Sequence, residues 1–529
     1  MESNVAQLLG VAAEREPERI ALVEATSGRR VTWRELDTLV DAVAHGLSTL
    51  GMVAGHRVAI AVGNRIEFVA AYLGALRARL VAVPVNPRSA TGELVRMIAD
   101  SGARLVFADA DTVETVRVAV GGLTEALQGA DEETRARASR PHVVAIHAAA
   151  KAGEHAWSDL VAEIGRPTPA PDDPEALAVL LYTSGTSGRP RAAMLSHRAL
   201  LANIRQVAQV DPPMIHGNDV VFGVLPLFHV YGLNAVLGQL LRHQARMVLV
   251  EGFDPEGALG IIEDEAVTVL PVAPPVFAYW RAVEHLEDRL GTLRLALSGS
   301  APLSVDLVEW FTGATGIAVH QGYGLTEASP VVTSTLCSKQ TQPGSVGAAL
   351  PGVEIRLVDE QGRVPEGGDP GEIWIRGENL FSGYWPDGSD GPDDEGWYAT
   401  GDVGFLDPSG DLFLVDRLKE LVLVSGFNVY PSEVEEVIAE VAEVAEVAVI
   451  GVADERTGEA VVAYVKARAG ADRDLVPTLV QEQCVRRLAR FKRPTVIHVV
   501  DELPYTVTGK VQKGRLRATE RRRSLGLLE

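Results

Sequence analysis

The chain has 529 residues, of which 47% are hydrophobic and 23% charged, the make-up of a folded globular protein and not of a disordered one. Forty-nine Lys and Arg stand against 71 Asp and Glu, and the net charge of −22 disfavours nucleic acid and anionic lipid as partners unless a local basic patch intervenes. Two cysteines, Cys337 and Cys484, exclude a disulfide framework and a cysteine zinc cluster, and no stretch approaches the ~20 apolar residues of a membrane span. The length implies three or four domain-sized units, or one large composite domain and a small one. The start, MESNVAQLLGVAAEREPERI, turns acidic too early for a secretory signal, so a soluble, cytoplasmic protein is expected.

The first 150 residues alternate helical and strand patterns. Thr32 to Glu35 reads as a capping box opening a helix, with Leu36, Val40, Val43 and Leu47 on one face. Strands are expected at 57–62 (RVAIAV), 80–85 (LVAVPV) and 104–109 (RLVFAD), with a helix from about Glu67 to Arg77. Short β-rich runs separated by helices imply a parallel sheet covered on both faces. PTPAPDDP at 167–174 reads as a stiff connector, after which the alternation resumes to about residue 330 as a second α/β layer set. Between 340 and 415, Gly-rich turns separate the short strands EIRLV, EIWIR and DLFLV, which predicts a smaller, mostly antiparallel β unit.

The last 110 or so residues read as a separate small domain. Ser432 to Glu435 resembles a second capping box, followed by Val434, Val437, Ile438 and Val441 at helical spacing, then strands VAVIGV (447–452) and AVVAYV (460–465). The fold class is therefore α/β: a large multi-layer αβ N-terminal domain with a small β unit, over 1–416, and a separate small α+β domain over 417–529. A hinge is expected near Arg417 to Glu420.

Residues 177–197, LAVLLYTSGTSGRPRAAMLSH, carry the strongest chemical signal. An apolar strand runs into Thr183-Ser184-Gly185-Thr186-Ser187-Gly188, with arginines at 189 and 191. Alternating glycine and hydroxyl residues can wrap phosphate oxygens with backbone N–H groups while a cation stands nearby. The Walker A pattern is absent, and on composition alone a surface turn explains the run equally.

The full string resembles the phosphate loop of the adenylate-forming superfamily, which contains acyl-CoA synthetases, firefly luciferase and the adenylation domains of peptide synthetases. Six further blocks of that family follow in order: PLFHVYGL (226–233), LSGSAPLS (297–304), QGYGLTEASP (321–330), YATGDVGFLD (398–407), DRLKELVLVSGFNVYPSEVE (416–435) and LPYTVTGKVQK (503–513). The resemblance implies ATP, Mg²⁺ and coenzyme A as cofactors and a carboxylic acid as substrate. By the same resemblance Thr183 and Glu327 hold Mg²⁺, a hard ion suited to oxygen ligands. Thr183 to Gly188, Arg191, Ser300, Ala301, Gln321 and Thr326 face ATP, and Tyr323, between Gly322 and Gly324, stacks on the adenine. Asp402 accepts the ribose hydroxyls, Arg417 donates to ribose or phosphate, and Lys510 bridges the carboxylate and the α-phosphate. Lys419 occupies the family's hinge position, and Ser425-Gly426 lines the CoA tunnel. His229 lies beside the acyl carboxylate, with Tyr231, Gly232, Gly299 and Gly322 around the acyl group. Amino-acid-activating relatives carry an Asp where this chain has His229, and an ammonium buried by a neutral imidazole is costly.

The chain departs from the family at two places. The usual loop has Lys then Gly where this one has Arg191 and Ala192. Arg keeps charge and adds a planar fork, and Ala gives up glycine's freedom, so a less mobile last loop turn is expected. No Trp follows the His229 block, so the tunnel entrance is not legible. The basic run VRRLARFKRP (485–494) is either a solvated face balancing nearby acids or a patch steering the phosphates of ATP or CoA. The reading is an AMP-forming acyl-CoA synthetase on medium- or long-chain fatty acids, with aryl-CoA ligase as the alternative. An acyl-AMP ligase loading an acyl carrier protein is disfavoured because 330–352 carries no insertion. A silent nucleotide-binding scaffold is disfavoured by Glu327, Asp402 and Lys510. Whether the chain forms a homodimer is left open.

Overall fold

The computed structural model describes residues 2–165, 173–183, 191–301, 303–359, 361–365, 369–417, 420–424, 427–454, 457–506 and 509–524. Two large sheets dominate the N-terminal part. The first has seven strands in the spatial order His155–Ala156, His142–Ala145, Leu105–Ala108, Arg57–Ala61, Val81–Pro84, Leu177–Thr183, Arg191–Ser196. Its pairs are parallel except the last, which is antiparallel. The second has nine strands in the order Ala348–Ala349, Val331–Ser334, Val319–Gly324, Leu295–Ser298, Val269–Val272, Val220–Gly223, Arg246–Leu249, Ile20–Glu24, Arg30–Thr32. It is parallel in the middle and antiparallel at both ends.

The expected strands and helices are present, but the sheets do not divide at the proline-rich connector. Leu177–Ser196 closes the edge of the first sheet, while Ile20–Thr32 from the N-terminus closes the second. Each sheet therefore borrows a hairpin from the other half of the sequence. Local patterning cannot reveal this, because periodicity reports which face of a strand is buried and not which partner it takes.

Central strands are buried on both faces, as covered parallel sheets require: Leu105–Ala108 and Val81–Pro84 are buried throughout. The helix Trp33–Thr49 opens with the expected capping box, Thr32 Oγ1 accepting from Glu35 N, and buries Leu36, Val40, Val43 and Leu47. The helix Ile66–Arg77 is buried along almost its whole length, including Glu67, which pairs with Arg29. Neither cysteine forms a disulfide, and burial pushes the Cys484 thiol up to about 11.

Residues 353–417 add a four-stranded sheet ordered Val353–Val358, Gly371–Gly377, Trp397–Leu406, Leu412–Arg417. The strand Trp397–Leu406, which contains Asp402, is one that patterning missed. The described residues form two compact units, one built from 2–183, 191–354 and 376–398, the other from 355–375 and 399 onward.

The C-terminal part of the second unit carries a five-stranded sheet in which Phe427–Val429, Val422–Val424, Gly458–Ala467 and Val444–Asp454 pair in that order and Val496–Val500 joins Gly458–Ala467. Val434, Val437 and Ile438 of the helix Pro431–Ala439 pack on it with Val449, Val461, Val476 and Val480. That helix does not start with the expected box. Pro431 takes its first position, Ser432 Oγ donates to Val415 O, and Glu435 Oε1 accepts from Val449 N. The proline already fixes the entry angle, which frees both side chains for tertiary contacts.

Candidate active site

Thr183 and Arg191 are the last register pair of the antiparallel strands Leu177–Thr183 and Arg191–Ser196, so the two ends of the phosphate-loop sequence are fixed side by side. Thr183 Oγ1 donates to Arg191 O at 3.4 Å. Ser184, Gly185, Thr186, Ser187 and Gly188 lie outside the described residues. Tyr182, one residue before, is half-buried against the core, with its hydroxyl donating to Asp100 Oδ2 at 2.7 Å. Burial pushes that phenol well up and raises the Asp100 carboxyl, the hydrogen bond from Tyr182 partly offsetting the latter. Trp385 Nε1 donates to Asp100 O at 3.0 Å, so the root of the loop is tied down from two sides.

Ala192 is buried in mid-strand, opposite Tyr182, and accepts from Trp385 N at 2.9 Å. The expectation that it stiffens a loop turn is therefore corrected: extended backbone suits any residue, and no glycine freedom is used there. Arg191 turns its guanidinium over the Tyr384 ring, 3.8 Å from the centroid, and pairs with Asp390 at 2.7 Å. Tyr384 OH in turn donates to Glu327 Oε1 at 2.5 Å. Burial, then the Glu327 charge, holds the Tyr384 phenol well above its ordinary range.

Glu327 stands with Thr326 in a short 3₁₀ turn after the strand Val319–Gly324 and is 8% exposed. The turn is pinned by Phe381 N on Glu327 O (2.9 Å), Asn379 Nδ2 on Ala328 O (2.8 Å) and Asn234 Nδ2 on Ser329 O (2.6 Å). Within the strand, Gln321 N donates to Thr335 Oγ1 and Tyr323 N to Thr333 Oγ1, each at 3.1 Å. A Cβ on Gly322 would come within 2.7 Å of Thr333 O, and one on Gly324 within 2.4 Å of Pro330 O. Both glycines are thus demanded by the neighbouring strand before any ligand arrives, and Tyr323 is itself buried.

Ser300 and Ala301 follow the strand Leu295–Ser298, Ser300 at φ 74°, a left-handed conformation that costs a non-glycine residue roughly 1–3 kcal/mol. A Cβ on Gly299 would meet Tyr231 Cε1 at 2.8 Å, so the Tyr231 ring lies directly on that backbone. Tyr231 opens a π-helical turn, Tyr231–Val236, a distortion frequent at functional sites. Gly232 is required there, because a Cβ would lie 2.4 Å from Pro226 O. His229, half-buried, accepts from Tyr231 N at its Nδ1 (3.4 Å). Asn64 fixes the approach to this turn: its amide donates to Gly223 O and Leu225 O while Oδ1 accepts from Leu227 N.

The second unit holds the remaining groups. Asp402 lies opposite Arg417 across antiparallel strands, is 8% exposed, and has its N–H on Thr400 Oγ1 at 3.1 Å. Lys510 is exposed on a tight turn closed by Thr506 N on Lys510 O (2.7 Å) and Lys510 N on Thr506 Oγ1 (3.0 Å). Lys419, Ser425 and Gly426 fall outside the described residues. The basic run at 485–494 is largely engaged locally: Arg487 pairs with Glu440 and Lys492 with Glu433, both at 2.6 Å, and Arg493 donates to Leu488 O and Val485 O. A separate acidic trio, Asp109, Asp111 and Glu251, is occupied by the Arg65 guanidinium.

Motif reading missed Tyr384, Asn64, Asn234 and Asn379, because each acts on backbone or side chains far away in sequence. The one available signal was the polar residue inside an otherwise apolar block, as with Asn234 after the His229 motif.

Residues 9–385 match the AMP-binding enzyme family and residues 433–510 its C-terminal domain. The chain is 33% identical over 517 residues to a long-chain-fatty-acid–CoA ligase of Yersinia pestis, covering 93% of this chain and 90% of that one. It is 32% identical over 515 residues to 4-coumarate–CoA ligase 5 of Oryza sativa subsp. japonica, covering 95% and 92%. The crystal structure of ATP-bound MatB from Rhodopseudomonas palustris superposes with a TM-score of 0.86 at 31% identity, over 98% of this chain and 99% of that one. No helix among the described residues is long and apolar enough to cross a membrane. With both family regions matched in order around this loop, the chain belongs to the AMP-binding enzyme family, as an AMP-forming acid–thiol ligase.

Proposed function

We propose that the acid is an aliphatic one of medium or long chain, activated with ATP and handed to coenzyme A. In the first half-reaction a carboxylate oxygen bonds to the α-phosphorus of ATP and the bond to the β-phosphate breaks, releasing pyrophosphate. In the second the CoA sulfur bonds to the acyl carbon and the bond to AMP breaks. Both steps build up negative charge among phosphates, which calls for preorganised donors and cations.

The observation that carries this reading is the convergence of Thr183, Arg191 and Glu327 about the ends of the phosphate loop. Glu327 Oε2 has no donor among the described residues, and the Thr183 hydroxyl, donating to Arg191 O, keeps its lone pairs. One carboxylate and one hydroxyl are the donor set of a Mg²⁺ that takes its other oxygens from phosphate and water. When bound, that ion neutralises charge on the phosphates. The loop 183–188, Arg191, Ser300, Ala301, Gln321 and Thr326 are assigned to ATP, Tyr323 to the adenine face, Asp402 and Arg417 to the ribose, and Lys510 to the α-phosphate. Ser425 and Gly426 are assigned to the CoA tunnel, and His229 stands by the carboxylate.

A second reading, aryl acids, is favoured by one observation. The Tyr231 ring lying on Gly299 gives the acyl side a flat, neutral wall that suits a planar ring. That fits the 4-coumarate ligases among the relatives. Neither reading provides a carboxylate for a substrate ammonium at His229.

A panel of acids in a pyrophosphate-release assay, with and without CoA, separates these readings. Each buried methylene adds up to about 0.8 kcal/mol, so apparent affinity should rise severalfold per two carbons and then level off. Hydroxycinnamate turned over faster than octanoate or dodecanoate selects the aryl reading. An α-amino acid turned over above either overturns both, and turnover indifferent to CoA points to a carrier-protein acceptor.

A further inference from the structure

The Tyr384 side chain touches two of the groups assigned to ATP and its metal, yet none of the site motifs contains it. Its ring receives the Arg191 guanidinium at 3.8 Å, and its hydroxyl donates to Glu327 Oε1. Arg191 is joined in turn to Thr183 through the strand register and the Thr183 hydroxyl. Its outer fork is anchored on Asp390 at 2.7 Å and Ser389 Oγ at 3.5 Å, five and four residues past Trp385.

Tyr384 is itself held from several directions. It forms a bridge with Ala193, while the adjacent Gly383 O accepts from Met194 N and Trp385 N donates to Ala192 O. Phe381 packs edge-on to its ring, with centroids 5.1 Å apart, and Tyr398 lies within hydrogen-bonding reach of its hydroxyl. A ring so constrained cannot follow either partner; it imposes its position on both. Cation–π contact withdraws density from the ring and makes the phenol a better donor.

We propose that Tyr384 is a positioning residue for the ATP·metal site: it fixes the Glu327 carboxylate with one oxygen committed and the other presented, and docks the loop's Arg191 in register with it. The departure from Lys to Arg at 191 then has a physical reason, since a planar guanidinium stacks on a tyrosine face and a point-charge ammonium does so less well. This rests on the reading of Thr183 and Glu327 as the metal pair.

The test uses the full chain and Mn²⁺·ATP without any acid, so that binding is read by Mn²⁺ paramagnetic resonance independently of turnover. Tyr384→Phe removes only the hydroxyl and should weaken Mn²⁺·ATP binding roughly tenfold, the scale of a lost hydrogen bond to a charged group. Arg191→Lys should weaken it severalfold. In a second pair, Tyr384→Leu removes ring and hydroxyl together, and the Tyr384→Leu, Arg191→Lys double variant should lose much less than the product of its two singles, because without the ring Arg191 has no face to stack on. In steady state, kcat and the KM for ATP should change while the KM for the acid stays put. Tyr384→Phe binding within twofold of wild type, or a double variant equal to the product of the singles, overturns the inference. If wild type itself fails to hold Mn²⁺·ATP, the metal-pair reading falls with it, and wild-type binding with an indifferent Tyr384 sinks the inference alone.

Discussion

Lys510 is exposed, and its backbone is held to Thr506 at both its N–H and its carbonyl. An exposed cation on an anchored backbone suits a charge needed at one moment of a reaction, when the α-phosphate becomes five-coordinate. Lys510→Ala should therefore lower acyl-adenylate formation by roughly 10²–10³ and leave thioester formation from supplied acyl-adenylate largely intact. Rapid-quench measurement of the two half-reactions separates them, and equal losses in both contradict the role. At this scale the sequence was legible where chemistry dictates residue type. Thr183, Glu327, Asp402 and Lys510 can be proposed from sequence because each stands in its own block. Residues that hold others in place do not: Tyr384 and Glu327 are 57 positions apart, and Asn64 reaches Leu227 over 163. Nor did Gly322 and Gly324 advertise their first duty, which is to let the strand Val331–Ser334 approach.

The helix that follows the loop hairpin, His197–Val207, shows what local pattern conveys and omits. Ser196 caps it by accepting from Ala199 N, a cap readable from sequence, but nothing in the sequence signals that His197 is buried with its Nδ1 accepting from Val5 N at 3.3 Å. Burial pushes that imidazole down to about 4, against a weak opposing pull from Asp173. An unfolded His titrates near 6.5, so between ~6.5 and ~4 the unfolded chain holds a proton that the folded one refuses. The stabilising contribution is therefore complete above ~6.5 and is lost as the pH falls, by about 2 kcal/mol at pH ~5. His197→Asn offers an acceptor to Val5 N without titrating. Its thermal midpoint should fall less than wild type's between pH 7.5 and 5, and parallel falls would assign the acid sensitivity to other groups. Strand and helix existence was likewise legible from period, whereas the exchange of edge hairpins between the two large sheets was not. Pairing across more than a hundred residues leaves no trace in a window of ten.

For the whole molecule, the question is how one chain serves two steps that need different groups. On the proposed reading adenylation uses Lys510 and thioester formation uses a passage that admits a thiol; Lys510 belongs to the second compact unit and Glu327 to the first. We propose that a swivel of the C-terminal part about a single residue accomplishes the change without rebuilding either core. Each core is closed on its own terms: the valine-rich cluster around Val449 and Val461 in the one, the packed faces of two large sheets in the other. Lys419 is the residue we assign to that swivel, from its place between the strand ending at Arg417 and the strand Val422–Val424. Proline there fixes φ near −65° and removes one backbone N–H, which suits one orientation and obstructs the other. Lys419→Pro should leave the first turnover of pyrophosphate close to wild type and slow CoA-dependent turnover by at least tenfold, so that acyl-adenylate accumulates on the enzyme. Quantifying bound acyl-AMP after acid quench, with CoA present, reads this directly. Accumulation with an intact first step supports rotation at 419, whereas both half-reactions running at wild-type rates would place the pivot at another residue, or remove the need for one.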